Sequence, residues 1–241
     1  MAPPEMNVSL SDMFNDHINY KRGAIRDSIS LLSNYSDKIV LDFGCGSAPS
    51  RDKLEATGAR WIGIDNAGSE ATIRCDGHQL PFQDHSFDVI IADVVFEHLL
   101  DPFQAMREIA RVCKRGGYIV GYVAFLEPFH MSYFHHSHKG IEYLLQSNGF
   151  RVTDILPSRS GIEKLFEDMM FPRKIIYITA AVSRAVRCFL FVCKKLLCLI
   201  ASVVLLFKRE DFTIKKKKLN LYQIMLDLGY AGGILFMGIK E

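Results

Sequence analysis

The stretch that decides the fold is residues 39–50, IVLDFGCGSAPS, in which an apolar run ends in Asp42 and two glycines follow one residue apart. A short apolar run that stops at glycines is typical of a buried strand followed by a tight turn. In a doubly wound sheet, ligands bind beyond the carboxyl ends of the strands, and glycines there let ligand atoms approach the backbone. The glycines alone fit an ordinary turn with a capping aspartate equally well.

Outward from this stretch, the pattern alternates between strands and helices. Helices are predicted over 16–35, 51–58, 101–117 and 138–150, and strands over 38–43, 60–65, 71–76, 87–93, 118–125, 150–156 and 232–240. Asp101, Pro102 and Gln104 give the helix at 101–117 a cap, a first residue and a capping box, and Gly116 stops it.

This alternation predicts a parallel sheet with helices on both faces. The fold class is therefore α/β: a Rossmann-like, doubly wound, seven-stranded sheet with an apolar helical insertion between the last two strands. The expected organisation is an N-terminal helical segment (1–37), a core (38–160), an apolar and basic insertion (161–228) and a last core strand (229–241).

Charge is distributed unevenly along the 241 residues. Twelve Lys and Arg lie between Arg173 and Lys218 against Glu210 and Asp211, so this segment carries +10 and the remainder −8, for a net charge of +2. A mildly acidic globule with one basic, apolar segment fits an anionic membrane surface and not a nucleic-acid partner.

The cysteines and the N-terminal residues indicate where the protein works. The six cysteines form no CxxC pair and no Cys/His cluster with ligand spacing, so neither a metal site nor a disulfide framework is predicted. The first residues lack the basic and apolar regions of a signal peptide. We therefore expect the protein in the cytoplasm or facing it.

The acidic residues at the predicted strand ends limit the classes of ligand that this site could bind. Dinucleotide binders carry a third glycine, GxGxxG, where this chain has Pro49, and Asp42 would repel a pyrophosphate but attract an ammonium or sulfonium. A nicotinamide-dependent reductase is thus disfavoured but stays an alternative. Asp65 ends the second strand of the core, where a carboxylate can accept both hydroxyls of a ribose. Asp76, with Gly77 behind it, offers an acceptor and a bare backbone amide for an adenine edge.

Four segments carry a family resemblance: VLDFGCGSA, GIDNA, CDGHQLPFQDHSFDVIIADVVFEHLLDP and EIARVCKRGGYIV. Together they resemble the class I S-adenosylmethionine-dependent methyltransferases, in particular the UbiE-like (methyltransferase type 11) branch, over roughly residues 16–156. The resemblance implies S-adenosyl-L-methionine as cofactor. It also implies a set of cofactor-binding residues: Asp42, Gly44 and Gly46 at the methionine portion, Asp65 and Asn66 by the ribose, Asp76 and Gly77 by the adenine, and Asp93 at the rim.

The acceptor site is predicted between the loops VVFEHL and LEPFHMSYFHHSHKG. The second loop holds four histidines among aromatic residues, and a histidine with an ordinary pKa of about 6.5 can accept a proton at neutral pH. His130 and His136 are the candidate bases or acceptor-orienting residues, with His98 as a third. The rings could instead simply pack the loop. Glu97 could face the site or bond to the loop backbone.

The N-terminal helix could close over the cofactor with Tyr20 and Arg22, or present a solvated face. The methylated atom is expected to be a hydroxyl oxygen, with C-methylation of a quinone-like ring left open.

The insertion is apolar with a basic stripe. On a helical wheel of about 100° per residue, five basic residues between Arg173 and Lys195 fall within an arc of roughly 100°. The unbroken apolar run 196–207 is shorter than the ~20 residues of a membrane span. An in-plane helix or hairpin at the membrane interface is therefore predicted. A lid, a dimer face and a single crossing remain alternatives.

The prediction is thus a methyltransferase peripheral to the cytoplasmic membrane face, acting on a small amphiphilic or lipid-linked acceptor. The alternatives are a methyltransferase-like binding module without turnover, and a soluble small-molecule methyltransferase. The oligomeric state stays open.

Overall fold

The computed structural model describes residues 19–20, 28–126, 132–158, 185, 188–189, 191–193, 195–203, 212–229 and 231–241. Its strands are β1 (Asn19–Tyr20), β2 (Ile39–Phe43), β3 (Arg60–Asp65), β4 (Ile73–Arg74), β5 (Phe87–Asp93), β6 (Cys113–Ala124), β7 (Phe150–Pro157) and β8 (Gly233–Lys240). The helices are α1 (Arg51–Glu55), α2 (Pro102–Val112), α3 (His138–Gln146) and α4 (Phe212–Gly229). Short 3-10 helices occupy Ser28–Leu31 and Phe96–His98, and residues 195–203 are helical.

The eight strands form one sheet in the order β1-β7-β8-β6-β5-β2-β3-β4. The seven predicted strands and the α/β class are confirmed, with β1 as an added edge strand. The sheet is mixed and not wholly parallel, because β8 runs antiparallel to both β6 and β7. Gly233 pairs with Ala124, and Ile234 with Pro157, so β8 starts at the edge where β6 and β7 end. The insertion therefore leaves and re-enters the sheet at one edge, and no crossover makes β8 parallel.

Two helix predictions differ from the structure. Asn19 and Tyr20 pair in parallel with Asp154 and Ile155 of β7, so this part of the predicted helix 16–35 is an edge strand. Arg22 lies outside the described residues.

Helix α2 ends at Val112 and not at 117, because Cys113 already pairs with Phe87 as the first residue of β6. Gly116, with φ +74°, lies in the irregular start of that strand, where the register shifts. It does not cap the helix.

The start of α2 is nearly as predicted. The Asp101 side chain accepts from the Gln104 N–H at 2.9 Å, and Pro102 is the first helical residue. The Gln104 side chain does not return to Asp101 as a capping box would. It donates to the His78 carbonyl, while the Asp101 N–H donates to His78 Nε2. His78 thereby ties the loop after β4 to α2.

Apolar clusters cover both faces of the sheet, one around Phe43, Phe96 and Phe236 and the other around Val40 and Trp61. Between them the parallel strands β2, β3, β5 and β6 end at one edge, called the rim below. Every predicted site residue that the structure describes lies at or just beyond this rim. Among the described helices, none combines the length and the apolar character needed to cross a membrane.

Candidate functional site

The turn after β2 is built by glycine conformations. Gly44 and Gly46 have φ +73° and +54°, which side-chain-bearing residues rarely adopt. The N–H groups of Gly44 and Cys45 both donate to the Ile64 carbonyl, at 2.8 and 2.9 Å, which fastens the turn to β3. A Cβ on Gly44 would lie 2.5 Å from a methyl of Val95, whereas a Cβ on Gly46 would meet nothing within 4 Å. The backbone at Gly46 is thus accessible to a ligand, and position 44 has no room for a side chain.

Asp65 joins this turn to the turn after β3. Its Oδ1 accepts from the Ala67 and Gly68 N–H groups at 2.8 and 2.7 Å, and its Oδ2 accepts from the Gly46 N–H at 3.0 Å. Desolvation raises the pKa of Asp65, but these backbone donors together hold it below the ordinary value, so the group is ionised at neutral pH. A carboxylate oxygen can accept two hydrogen bonds, so Oδ2 has capacity for a ligand hydroxyl. Asn66 follows with an exposed side chain.

Asp42 lies beneath the same turn and is only 5% exposed. It accepts a hydrogen bond from Trp61 Nε1 at 3.0 Å. Burial and, to a smaller extent, the charge of Asp65 raise its pKa to about 6, against the lowering effect of the Trp61 hydrogen bond. Asp42 and Asp65 therefore lie close enough for their charges to interact. A cationic ligand at this end of the rim would relieve their repulsion, which fits a sulfonium or ammonium group.

Asp76 is placed differently from Asp42 and Asp65. Its side chain is exposed and accepts from both the backbone N–H and Nδ1 of His78, the latter at 2.6 Å. The N–H and the imidazole of His78 hold its pKa below the ordinary value. Residue 77 has no room for a side chain, because a Cβ there would lie 2.5 Å from the Phe43 ring. The backbone at 77 thus packs against β2, while the Asp76 carboxylate is engaged with its own loop.

Asp93 closes the rim at the end of β5. Its Oδ2 accepts from Ser28 Oγ at 2.7 Å, and Ser28 is only 1% exposed, so the N-terminal 3-10 helix is fastened to the rim at this point. The next residue, Val94, has φ +57°, which is strained for a β-branched residue. Neither Ser28 nor Val94 was identified from the sequence, since serine hydrogen bonds and valine strain leave no local pattern.

A cleft of about 450 Å³ opens beside the glycine turn, between the loops after β2 and β3. Its lining residues are Ser47, Ala48, Arg51, Asp52, Glu55, Ser69 and Glu70. None of the predicted cofactor residues lines it, so those residues lie beside this cleft and not within it.

Glu97 holds the far side of the rim together. It is fully buried, and its Oε1 accepts from the Ala124 N–H at the end of β6 at 3.0 Å. Its backbone carbonyl accepts from the Tyr133 and Phe134 N–H groups, at 2.7 and 3.2 Å. The Glu97 side chain thus bonds to the end of β6, and its backbone carbonyl bonds to the loop. Residue 97 thus fixes the path of the chain after β6 across the end of β5.

His136 is the predicted catalytic histidine that this arrangement places best. Its backbone N–H donates to the Ala124 carbonyl at 3.1 Å. Its ring atom Nε2 is buried without a hydrogen-bond partner among the described residues. Burial lowers the pKa of His136, against a smaller opposing effect of a ring hydrogen bond to the Phe96 backbone. The ring is therefore neutral at pH 7.

The other histidines are placed less favourably. His98 is exposed at the end of its 3-10 helix, and His135 Nδ1 lies 2.6 Å from the Phe125 carbonyl with the side chain exposed. His138 begins α3, and burial lowers its pKa. His130 lies outside the described residues. Of the predicted catalytic residues that the structure describes, His136 is the one that combines a buried ring nitrogen with a backbone bond to the end of β6.

Comparisons with known proteins identify a methyltransferase domain in the chain. Residues 41–121 match a family model described as "Methyltransferase domain". An uncharacterized methyltransferase of Mycobacterium leprae is 33% identical over 106 residues, which cover 38% of this chain and 39% of that protein. The chain thus matches well under half the length of this relative.

Two solved structures share the fold over most of the chain. A S-adenosylmethionine-dependent methyltransferase from Mesorhizobium loti has a TM-score of 0.52 at 13% identity, covering 88% of this chain and 95% of that one. The [4+2]-cyclase SpnF has a TM-score of 0.53 at 16% identity, covering 85% and 75%. Because one of these is described as a cyclase, the fold alone does not fix the reaction.

Proposed function

Because the chain carries a class I S-adenosylmethionine-dependent methyltransferase domain, we propose that it methylates a hydroxyl of a small amphiphilic or lipid-linked acceptor at a membrane surface. The observation that carries this proposal is the pairing of two features at one rim. Asp42 and Asp65 interact beside an open glycine turn, and His136, whose Nε2 is buried, is bonded through its backbone to the end of β6.

The cofactor side fits S-adenosylmethionine, which when bound supplies an electrophilic methyl group. Gly46 offers backbone without a Cβ, and the ionised Asp65 accepts from a ribose hydroxyl through Oδ2. Asp42 adds negative charge where the ligand carries positive charge. Asp93, tied to Ser28, marks the boundary of this side.

On the acceptor side, His136 acts as general base. A ring hydrogen bond to the Phe96 backbone orients the imidazole, so that Nε2 can take the proton that the acceptor hydroxyl loses as its oxygen becomes the nucleophile. The lowered pKa keeps the ring neutral, and therefore competent, at pH 7. A hydroxyl acceptor also satisfies a buried nitrogen that otherwise has no donor among the described residues.

Two observations support an amphiphilic acceptor at a membrane. The insertion between β7 and β8 leaves and re-enters the sheet at the rim, beside the proposed acceptor site. The segment from Arg173 to Lys218 within it is apolar and carries +10. Such a segment suits the interface of an anionic bilayer, with the active rim held close to it.

The test is to incubate the full chain with a membrane lipid extract and methyl-deuterated S-adenosylmethionine, and to search for labelled products by mass spectrometry. We expect a trideuteromethyl ether in the lipid fraction. Retention of labelled S-adenosylmethionine on equilibrium dialysis without any labelled product would favour the binding module. Retention of NAD in its place would favour the reductase.

A further inference from the structure

An exposed apolar stripe runs along the helical residues of the insertion. Leu196, Leu199, Ile200 and Val203 are 56, 59, 52 and 44% exposed. Their spacing of three and four residues puts them on one face of a helix, within an arc of about 100°. The same spacing continues backwards to Val192 and Phe189, which are 62 and 66% exposed. These six residues are called the apolar face below.

The opposite side of this helix faces the protein. Cys198 is 7% exposed, and Ala201 and Ser202 are half-buried. A surface helix of a globular protein normally turns its apolar stripe toward the core and its polar side toward water. Here the arrangement is reversed, since the large aliphatic side chains face outward. Contiguous exposed apolar surface of this kind marks an interaction site.

Basic residues accompany the apolar face. Lys195 is exposed at its margin, with Nζ 5.4 Å from the Phe191 ring centroid. Helix α4 is anchored in the core by Ile224 and Leu228, and its first turns carry Lys215–Lys218. Lys216 and Lys217 are exposed there, next to Phe212, which is 80% exposed.

Charge decides what covers the apolar face. A two-fold dimer would put two identical segments, each with +10 between Arg173 and Lys218, against each other, which opposes that contact. An anionic bilayer offers hydrocarbon to the leucines and phosphates to the lysines at the same time.

We infer that the apolar face lies in the headgroup boundary of an anionic bilayer, with the helix parallel to the membrane plane and Lys215–Lys218 at the phosphates. This inference deepens the proposed function and rests on its membrane-surface acceptor. Because the insertion joins the sheet at the rim, docking in this way brings the acceptor side of the rim to the headgroup level. A lipid-linked acceptor then needs to leave the bilayer only by its polar end.

Vesicle flotation with the full chain tests the inference. We expect the protein to float with vesicles of phosphatidylcholine mixed with phosphatidylglycerol, and much less with phosphatidylcholine alone. The double variant Leu199→Asp/Ile200→Asp should weaken partition at least about tenfold, because each apolar side chain loses its burial in hydrocarbon. The matched control Tyr143→Asp replaces an apolar residue that is 64% exposed on α3 and should bind as the wild type does.

The lysines are tested separately. Lys216→Glu/Lys217→Glu should weaken partition by about thirtyfold or more on the anionic vesicles, since each lysine near such a surface contributes about 1 kcal/mol. It should leave the weak partition to phosphatidylcholine unchanged. Equal losses on both kinds of vesicle would contradict the role given to the phosphates.

Two results would overturn the inference. In one, the wild type stays unbound with every vesicle. In the other, it sediments as a dimer without lipid and the Leu199→Asp/Ile200→Asp variant sediments as a monomer, which assigns the apolar face to a second copy. Equilibrium dialysis with S-adenosylmethionine is run on the same samples and should be equal for all variants. If the wild type does not retain S-adenosylmethionine, that result counts against the proposed function. Vesicle binding is then a separate result.

Discussion

The two sides of the rim are held in place by different means. On the cofactor side, the turns after β2 and β3 are fastened through backbone groups, with Gly44 and Cys45 bonded to Ile64 and Asp65 bonded to three N–H groups. On the acceptor side, one buried carboxyl residue, Glu97, organises a loop that follows it by more than thirty residues in sequence. The first side is set by local chain geometry, and the second by a contact between distant segments. Substitutions should therefore separate cofactor binding from turnover.

The largest expected effect is that of a substitution at His136, which should reduce turnover without affecting cofactor binding. His136→Ala should lower kcat by about 10²–10⁴, the usual contribution of a general base, and leave retention of S-adenosylmethionine unchanged. The matched control is His135→Ala, which removes the exposed neighbouring ring. Equal turnover of the two variants would remove His136 as the base.

The wild-type pH profile adds to this test. Only the neutral ring accepts a proton, and burial lowers the pKa of His136 below the ordinary ~6.5, so kcat should rise through a midpoint below about 6.5 and be level above pH 7.

A second prediction concerns the glycine turn. Gly44→Ala should lower the free energy of unfolding by about 3 kcal/mol, because the added Cβ has both an unfavourable φ and a clash with Val95. Gly116→Ala is the matched control, since φ there is +74° with nothing within 4 Å, and should lose only about 1–2 kcal/mol. Urea denaturation measures both. Equal losses would show that Val95 moves aside freely.

The acceptor side can be loosened by itself at Glu97. Glu97→Ala leaves the buried Ala124 N–H without its acceptor and should lower the free energy of unfolding by about 1–3 kcal/mol. Because residues 133–136 border the proposed base, turnover should fall by more than cofactor retention does. Glu142→Ala removes another buried carboxylate, paired with Lys139 on α3, and should leave the ratio of these two losses at the wild-type value.

A smaller effect is expected from pH at Asp42. Its pKa is about 6 in the folded protein and near 3.8 in the unfolded chain, so folding takes up a proton between these values. The contribution to stability is therefore greatest below pH 3.8 and is lost as pH rises through about 6, by at most about 2–3 kcal/mol. Asp42→Asn should flatten this limb of the stability profile, measured by urea denaturation between pH 4 and 8. An unchanged profile would mean that Asp42 is not the titrating group.

The smallest effect should come from Asp76. Asp76→Asn should change cofactor affinity and stability by less than about 0.5 kcal/mol, as is usual for an exposed side chain. Asp65→Asn at the corresponding strand end should weaken S-adenosylmethionine by tenfold or more, because it loses a charge-assisted acceptor. Equilibrium dialysis compares them. A loss of cofactor affinity in Asp76→Asn as large as in Asp65→Asn would show that the Asp76 carboxylate contacts the cofactor.

Much of the cofactor side could be predicted because its information is local. The run before Asp42, the two glycines and the acid at the end of β3 are adjacent in sequence to the turns they build, and backbone φ preferences act over one or two residues. The same locality explains the partial success at α2, where the Asp101 cap was predicted but the helix end was not. Val112 ends that helix because Cys113 pairs with Phe87, a residue 26 positions earlier.

The acceptor side was less predictable for the converse reason. Histidines were predicted from residue type alone, and only packing between β5, β6 and the following loop distinguishes the half-buried His136 from the exposed His98 and His135. The roles of Ser28 at Asp93 and of His78 at Asp101 depend on contacts across 65 and 23 residues.

By itself, therefore, the sequence determined the α/β class, the strands of the core and the glycine turn, since apolar periodicity and backbone preference are properties of short segments. Tertiary structure decided that β8 is antiparallel, that the charge of Asp65 acts on Asp42, and which imidazole has a buried nitrogen. It also decided that the aliphatic side chains of residues 196–203 face outward. Each of these depends on which surfaces exclude water from one another, and that is fixed only when distant segments pack.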